Sequence, residues 1–355
     1  MRIALFNDTG NSPHVGCQAV SNAHAVMLGR AGHRVVFRGF VLQYRQFRKD
    51  TEAESIAAAL AHEGLQAALA DCDAVIVNGE GTIHHDAGMH LLAILGAAQA
   101  LGKVTLLVNA VFEETAGYDD VLARLDDFTV RDQRSLHHAR ERGLPCRLVW
   151  DSALAAEYDP APLFDLKGAT AVTDWHFARA DDTGRTSLEF LRAHPEATRF
   201  LPLASANAHE IWSRYPATLA TASQIVTGRH HGCYFAIKAR RRFIPLGSNT
   251  HKIEGLLDAA GASIPIPRTL DDLEDALRWA ESSGDMYDRL FDLADTQLPL
   301  STFERLGTGT DSDEATELST LSKQAAKVRR RARKRHGESL VAEERLLKAA
   351  LMLNV

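Results

Sequence analysis

"SQIVTGRHHGCYFAIK" (223–238) decides how the chain is read. It starts with a short apolar run, Ile225 and Val226, that ends at Gly228. Arg229, His230 and His231 follow, then Gly232 and a segment with helix-like spacing. A β-branched run that hands over through glycine to a helix fits one strand–loop–helix unit of a parallel sheet. In such sheets ligands bind outside the carboxyl ends of the strands. An arginine and two histidines at that junction are therefore placed for chemistry, although a lone histidine there is more often structural.

The same alternation extends in both directions. Upstream, the pattern predicts strands at 2–7, 33–40, 73–79, 103–110, 128–132 and 146–150, with helices at 16–31, 52–70, 88–101 and 133–142. "EYDPAPLFDLKG" (157–168), rich in proline and turn formers, interrupts it. Downstream, strands are expected at 169–175, 198–204, 223–228, 241–247 and 262–267, with helices at 185–193, 207–221, 231–239, 250–260 and 269–282. The pattern predicts an α/β chain of two tandem doubly wound, Rossmann-like domains, 1–160 and 161–300. A polar linker and basic helical tail, 301–355, form a C-terminal helical extension.

Composition bounds the function. At 355 residues the chain is too long for one ordinary domain. Charged residues at 24% beside 45% hydrophobic ones indicate a globular protein. A net charge of −6 argues against a dedicated nucleic-acid binder, so no nucleic acid is expected as partner. Cys17, Cys72, Cys146 and Cys233 show no CxxC spacing, which disfavours a disulfide framework or zinc ribbon and fits a reducing cytoplasm. "MRIALFNDTG" holds too short an apolar run for a signal peptide, and no run reaches membrane-span length. A cytoplasmic location is expected.

The polar candidates fall just after predicted strands. "FNDTGNSPHVG" (6–16) places Asp8 and His14 before a helix, where backbone N–H groups attract anions. It lacks G-x-G-x-x-G, so a nicotinamide cofactor is a poor fit. "VNGEGTIHH" (77–85) sets Asn78, Glu80 and His84 in a glycine turn, where a carboxylate could act as a base or orient a sugar hydroxyl. His84, His85 and Asp86 raise the idea of a metal, but adjacent residues rarely chelate one ion, and none is expected. Asp174 and Trp175 end another strand and could offer a carboxylate and a stacking face to a sugar; interdomain packing is the equal alternative for Trp175. Arg229 carries a rigid fork for phosphate or carboxylate, and His231 could move a proton near neutral pH. Asn249, Thr250 and Lys252 open a later helix, where Lys252 suits a phosphate.

The order of these motifs resembles the polysaccharide pyruvyl transferase family over roughly residues 1–290. The resemblance rests on "NGEGT" (78–82), Arg229-His230-His231-Gly232, and Lys252 before Gly255-Leu256-Leu257. The family commonly has leucine where His230 stands and three glycines where "NGEG" stands, so this chain looks like a divergent member. The resemblance implies a GT-B-like fold and ketal formation on a sugar, with phosphoenolpyruvate as donor and no cofactor. It further implies Arg229, Lys252, Asn249, Thr250 and Gly232 at the donor and its phosphate, in the second domain. His231 would be the general acid, with Glu80 or His14 as base, and Asp8, Asn78, His84, Asp174 and Trp175 would face the saccharide acceptor. The rival on the same architecture is a glycosyltransferase with a sugar-nucleotide donor; a scaffold that lost catalysis is the distant third. The basic run 327–336 reads either as a solvated helix face or as a contact with an anionic membrane, at whose inner face a lipid-linked acceptor would reside. The oligomeric state is left open.

Overall fold

The computed structural model describes residues 1–176, 183–297 and 302–307. The basic run 327–336 and the terminal helix expected after it lie outside the described residues.

Two parallel sheets form the scaffold. The first takes β1 (Arg2–Asp8), β2 (Arg34–Phe40), β3 (Ala74–Asn78), β5 (Val104–Ala110), β7 (Asp127–Val130) and β8 (Arg147–Leu148), in the order β2-β1-β3-β5-β7-β8. The helices between them are α1 (Val15–Arg30), α2 (Glu52–Leu60), α3 (Glu63–Ala70), α4 (Met89–Ala100), α5 (Asp119–Ala123) and α6 (Gln133–Glu141). Ile3, Ala4, Leu5 and Phe6 are all fully buried, which explains why β1 is a continuous apolar run rather than an alternating one. The second sheet takes β9 (Thr170–Trp175), β10 (Thr198–Phe200), β11 (Ile225–Gly228) and β12 (Phe243–Pro245), in the order β10-β9-β11-β12. Around it lie α7 (Arg185–Ala193), α8 (Ala208–Ile211), α9 (Tyr215–Leu219), α10 (His230–Lys238), α11 (Lys252–Ala260), α12 (Leu270–Ser282) and α13 (Gly284–Gln297). A short parallel pair, β4 (Ile83–His84) and β6 (Phe112–Glu113), stands apart.

Some expectations need correction. Residues 262–267 form no strand; Pro265 and Pro267 lack the N–H groups a ladder needs. The single helix expected over 52–70 is two, because His62 leaves the helical path and its side chain accepts from Leu65 N, capping α3. The helix expected over 207–221 is likewise broken into α8, a 3-10 turn at Trp212–Arg214, and α9. Helix α13 was not foreseen.

The two sheets share a core. Val15, Ala19, Val20 and Ala23 of α1, which follows the first sheet's β1, are buried among Val172, Val226 and Tyr234. Backbone bonds reinforce this side: Val15 N donates to Leu203 O and Ser205 N to Pro13 O, both at 2.9 Å. On the other side α6 meets α11 through polar groups, with Arg134 Nε donating to Asp258 Oδ2 at 2.8 Å. The carboxyl ends of both sheets meet between these two contacts.

Candidate functional site

Arg229 is still extended (φ −119, ψ 134), and α10 starts at the next residue. His230 and His231 therefore occupy its first turn. Gly232 is needed there for packing, since a Cβ would lie 2.0 Å from Thr227 Oγ1. That side-chain position faces β11, so only its backbone could meet a donor. The His231 ring rests against the start of α1: a Cβ on Gly16 would lie 2.3 Å from its Cγ and Nδ1. His14, the residue that caps α1, has its ring centroid 5.6 Å from that of His231. One histidine from each half of the molecule thus meets at the junction.

Two carboxylates flank His231. Its Nε2 lies 3.4 Å from Glu80 Oε1 and 3.5 Å from Asp151 Oδ2. Glu80 accepts from Thr9 Oγ1 (2.8 Å), Cys17 Sγ (3.2 Å) and Asn78 Nδ2 (3.3 Å). So held, Glu80 faces His231 more than an incoming hydroxyl. Asp151 accepts from the buried Arg131 guanidinium at 2.5 Å and from Ala153 N at 2.8 Å. Burial alone would raise the Asp151 pKa; Arg131, followed by His231, overcomes it and holds the carboxyl well below its usual range. His230 Nε2 stands 3.7 Å from the same carboxylate, and neither of its ring nitrogens has a hydrogen-bond partner. Burial and Arg131 push its pKa down to about 3, so it is a neutral, enclosed ring.

His14 accepts from Gly16 N through Nδ1 at 3.1 Å. Burial, Arg229, His231 and Lys252 hold its pKa well below the ordinary histidine value. The neutral ring then carries its proton on Nε2 and is a donor, which corrects the base role expected of it.

The cations converge on the same place. Arg229 donates through Nε (2.9 Å) and one terminal nitrogen (2.7 Å) to Asp174 Oδ2, and Asp174 Oδ1 accepts from Leu203 N at 2.7 Å. Asp174 is therefore the counter-ion that aims Arg229, a correction to its expected contact with the acceptor. Lys252 donates to Asn249 Oδ1 at 2.5 Å. Burial, then the charges of Arg131 and Arg229, bring its pKa down to about 7. The same two cations, Arg229 and Lys252, act after burial on His176, held at about 4. Thr250 is buried beside this cluster with its hydroxyl unpartnered.

Other expected acceptor residues are engaged elsewhere. Asp8 is 1% exposed, paired with Arg38 at 2.6 Å and accepting from Gly10 N. Trp175 is 3% exposed and packs on Gly184, Gly228 and Phe200, which leaves no stacking face. Asn78 is fully buried; it ties Asn7 to Glu80. His84 meets Gly81 O at 2.9 Å and feels the charge of Lys252, so it stays at the rim. Sequence reasoning overlooked Arg131, and it passed Asp151 and Cys17 by with little weight. For Arg131 and Asp151 the signal was a charged residue directly after a short apolar strand, in "FTVRD" (128–132) and "LVWDS" (148–152). Among the described residues, His85, Glu113 and Glu114 bring one ligand atom each within 4.8 Å, on an open surface. No helix among the described residues is long and apolar enough to cross a membrane.

Residues 26–250 match the family model described as polysaccharide pyruvyl transferase. No curated protein matches the sequence at a significant level. Among solved structures, a putative UDP-N-acetylglucosamine 2-epimerase from Listeria monocytogenes aligns with a TM-score of 0.55 at 11% identity, over 82% of this chain and 90% of that one. The Methanocaldococcus jannaschii UDP-GlcNAc 2-epimerase in complex with UDP-GlcNAc and UDP gives 0.51 at 11% identity, over 83% and 100%. At such identities the likeness establishes the fold alone, which is of the GT-B kind.

Proposed function

Because the chain belongs to the polysaccharide pyruvyl transferase family, we propose that it moves the pyruvyl group of phosphoenolpyruvate onto two hydroxyls of a sugar. The product is a cyclic ketal on a cell-surface glycan or its precursor, and phosphate is released. One observation carries this function: His14, Arg229, His231 and Lys252 converge from both sheets' strand ends on one spot, with His14 and His231 5.6 Å apart.

The chemistry suits these groups. The donor bears a phosphate and a carboxylate, and Arg229, Lys252 and the His14 Nε2–H supply donors for them. A proton must reach the methylene carbon, leaving an oxocarbenium-like carbon for the first hydroxyl to attack. His231 is the proton carrier, with its Nε2 3.4 Å from Glu80 Oε1 and 3.5 Å from Asp151 Oδ2. Loss of phosphate then opens the same carbon to the second hydroxyl. Of the two hydroxyl protons, one replaces the proton given to the methyl group and one leaves with phosphate. The donor brings its own leaving group, so the reaction calls for no cofactor. A cytoplasmic enzyme acting on a lipid-linked sugar would work at the inner face of the membrane, with residues 327–336 against anionic lipid.

Calorimetric titration with phosphoenolpyruvate and with a panel of sugar nucleotides tests this on wild type and on folded Arg229→Ala. Phosphoenolpyruvate binding that is lost in the variant supports pyruvyl transfer. Binding of a sugar nucleotide and not phosphoenolpyruvate overturns it in favour of glycosyl transfer.

A further inference from the structure

We propose that His251 is a positioning residue that fixes Lys252 against the first sheet and so joins the two halves of the donor site. This inference rests on the donor site described above. His251 stands just before α11, in the half built on the second sheet. Its Nδ1 lies 3.0 Å from Glu113 Oε1 and its Nε2 3.2 Å from Asp132 Oδ1, and both carboxylates belong to the first half. Ser135 Oγ lies 3.2 Å from the same Nε2. An imidazole with a carboxylate at each nitrogen donates to both only as the cation. Burial alone would lower the pKa of His251; Asp132 and Glu113 outweigh it and hold the ring above the ordinary histidine value.

The contact continues along the helix. One turn on, a Cβ at Gly255 would lie 2.4 Å from Asp132 Oδ1, so glycine lets α11 approach the carboxylate. Two turns on, Asp258 meets Arg134. This seam between α6 and α11 is polar, whereas the seam on the α1 side is apolar core and main chain. Lys252 follows His251 directly. Its hydrogen bond goes to Asn249 of its own half, but the charges of Arg131 and Glu80 that act on it come from the first half. The seat of α11 on α6 therefore sets what Lys252 meets.

The test follows Lys252 itself. Its reactivity toward a trace acylating reagent, read by mass spectrometry across pH, has its midpoint near 7 in wild type. In His251→Gln that midpoint rises above about 8, because a displaced lysine regains water. Affinity for phosphoenolpyruvate falls about tenfold, as a misplaced phosphate partner would cause. Asp132→Asn, which keeps the helix cap, produces the same two changes. The double variant is no worse than either single one, as expected of partners in one contact. A folded His251→Gln protein with an unmoved Lys252 midpoint overturns the proposal; should that variant not fold, Asp132→Asn decides. Failure of wild type to bind phosphoenolpyruvate would sink the donor assignment and leave the midpoint experiment intact.

Discussion

Replacing Lys252 by methionine should make the protein more stable while abolishing donor binding. A lysine that titrates near 7 in the folded chain and near 10.5 unfolded binds its proton more weakly when folded. At pH 7 that difference corresponds to about 4 kcal/mol against folding. Methionine also gives up the ammonium's hydrogen bond to Asn249 Oδ1, so about 2 kcal/mol is the expected net gain. Asn249 loses its partner but is partly exposed, and water can replace the ammonium. The sign follows from linkage. Between the two pKa values the unfolded chain holds more protons, so the penalty is full below pH 7 and fades as pH rises toward 10.5. Urea unfolding of wild type and Lys252→Met at several pH values measures this. The variant should be more stable at pH 7, and its advantage should shrink toward zero by about pH 10. A variant less stable at pH 7, or one whose advantage does not change with pH, would refute the reasoning. In the same preparations, calorimetry should find phosphoenolpyruvate binding in wild type alone.

Gly16→Ala should cost about 100-fold in turnover, since the new Cβ displaces the His231 ring, and a steady-state assay beside a melting curve separates this from unfolding. Asp151→Asn should destabilise by about 3 kcal/mol in urea, because the buried Arg131 loses its counter-ion. His230→Leu should be neutral or more stable by about 1 kcal/mol in the same assay, as a buried ring with two unpartnered nitrogens gives way to hydrocarbon.

The architecture was legible because a strand buried on both faces must be apolar along its whole length. "ALF" (4–6) and "VIV" (75–77) advertise themselves in that way. The strand misread at 262–267 shows the limit: apolar content alone does not supply the ladder N–H groups that its prolines lack. Of the candidate site, the placement of Arg229, His231 and Lys252 was legible, as they stand where strand-end glycines and helix starts put them. Their partners were not. Asp174 and Arg229 are 55 residues apart in sequence, and which carboxylate meets which guanidinium is fixed by how the strands pair. His14 failed as a base for a similar reason. Its role is set by a backbone N–H two residues on, and sequence alone cannot say that the loop turns back to provide it.

Pairing also separates the cations by task. Arg131 and Arg229 already have carboxylate partners, Asp151 and Asp174, and those pairs fix their direction before any ligand arrives. Lys252 has an amide oxygen as its hydrogen-bond partner and carries the depressed pKa. An incoming anion therefore gains less from the arginines, whose charge is largely offset, than from the lysine, whose charge is not. At pH 8 Lys252 is mostly neutral, and an anion bound beside it would draw a proton from solvent. Titration in buffers of different ionisation enthalpy should then show uptake of nearly one proton at pH 8 and almost none at pH 6. Proton-neutral binding at pH 8 would mean that the donor's charge is met by the arginines instead.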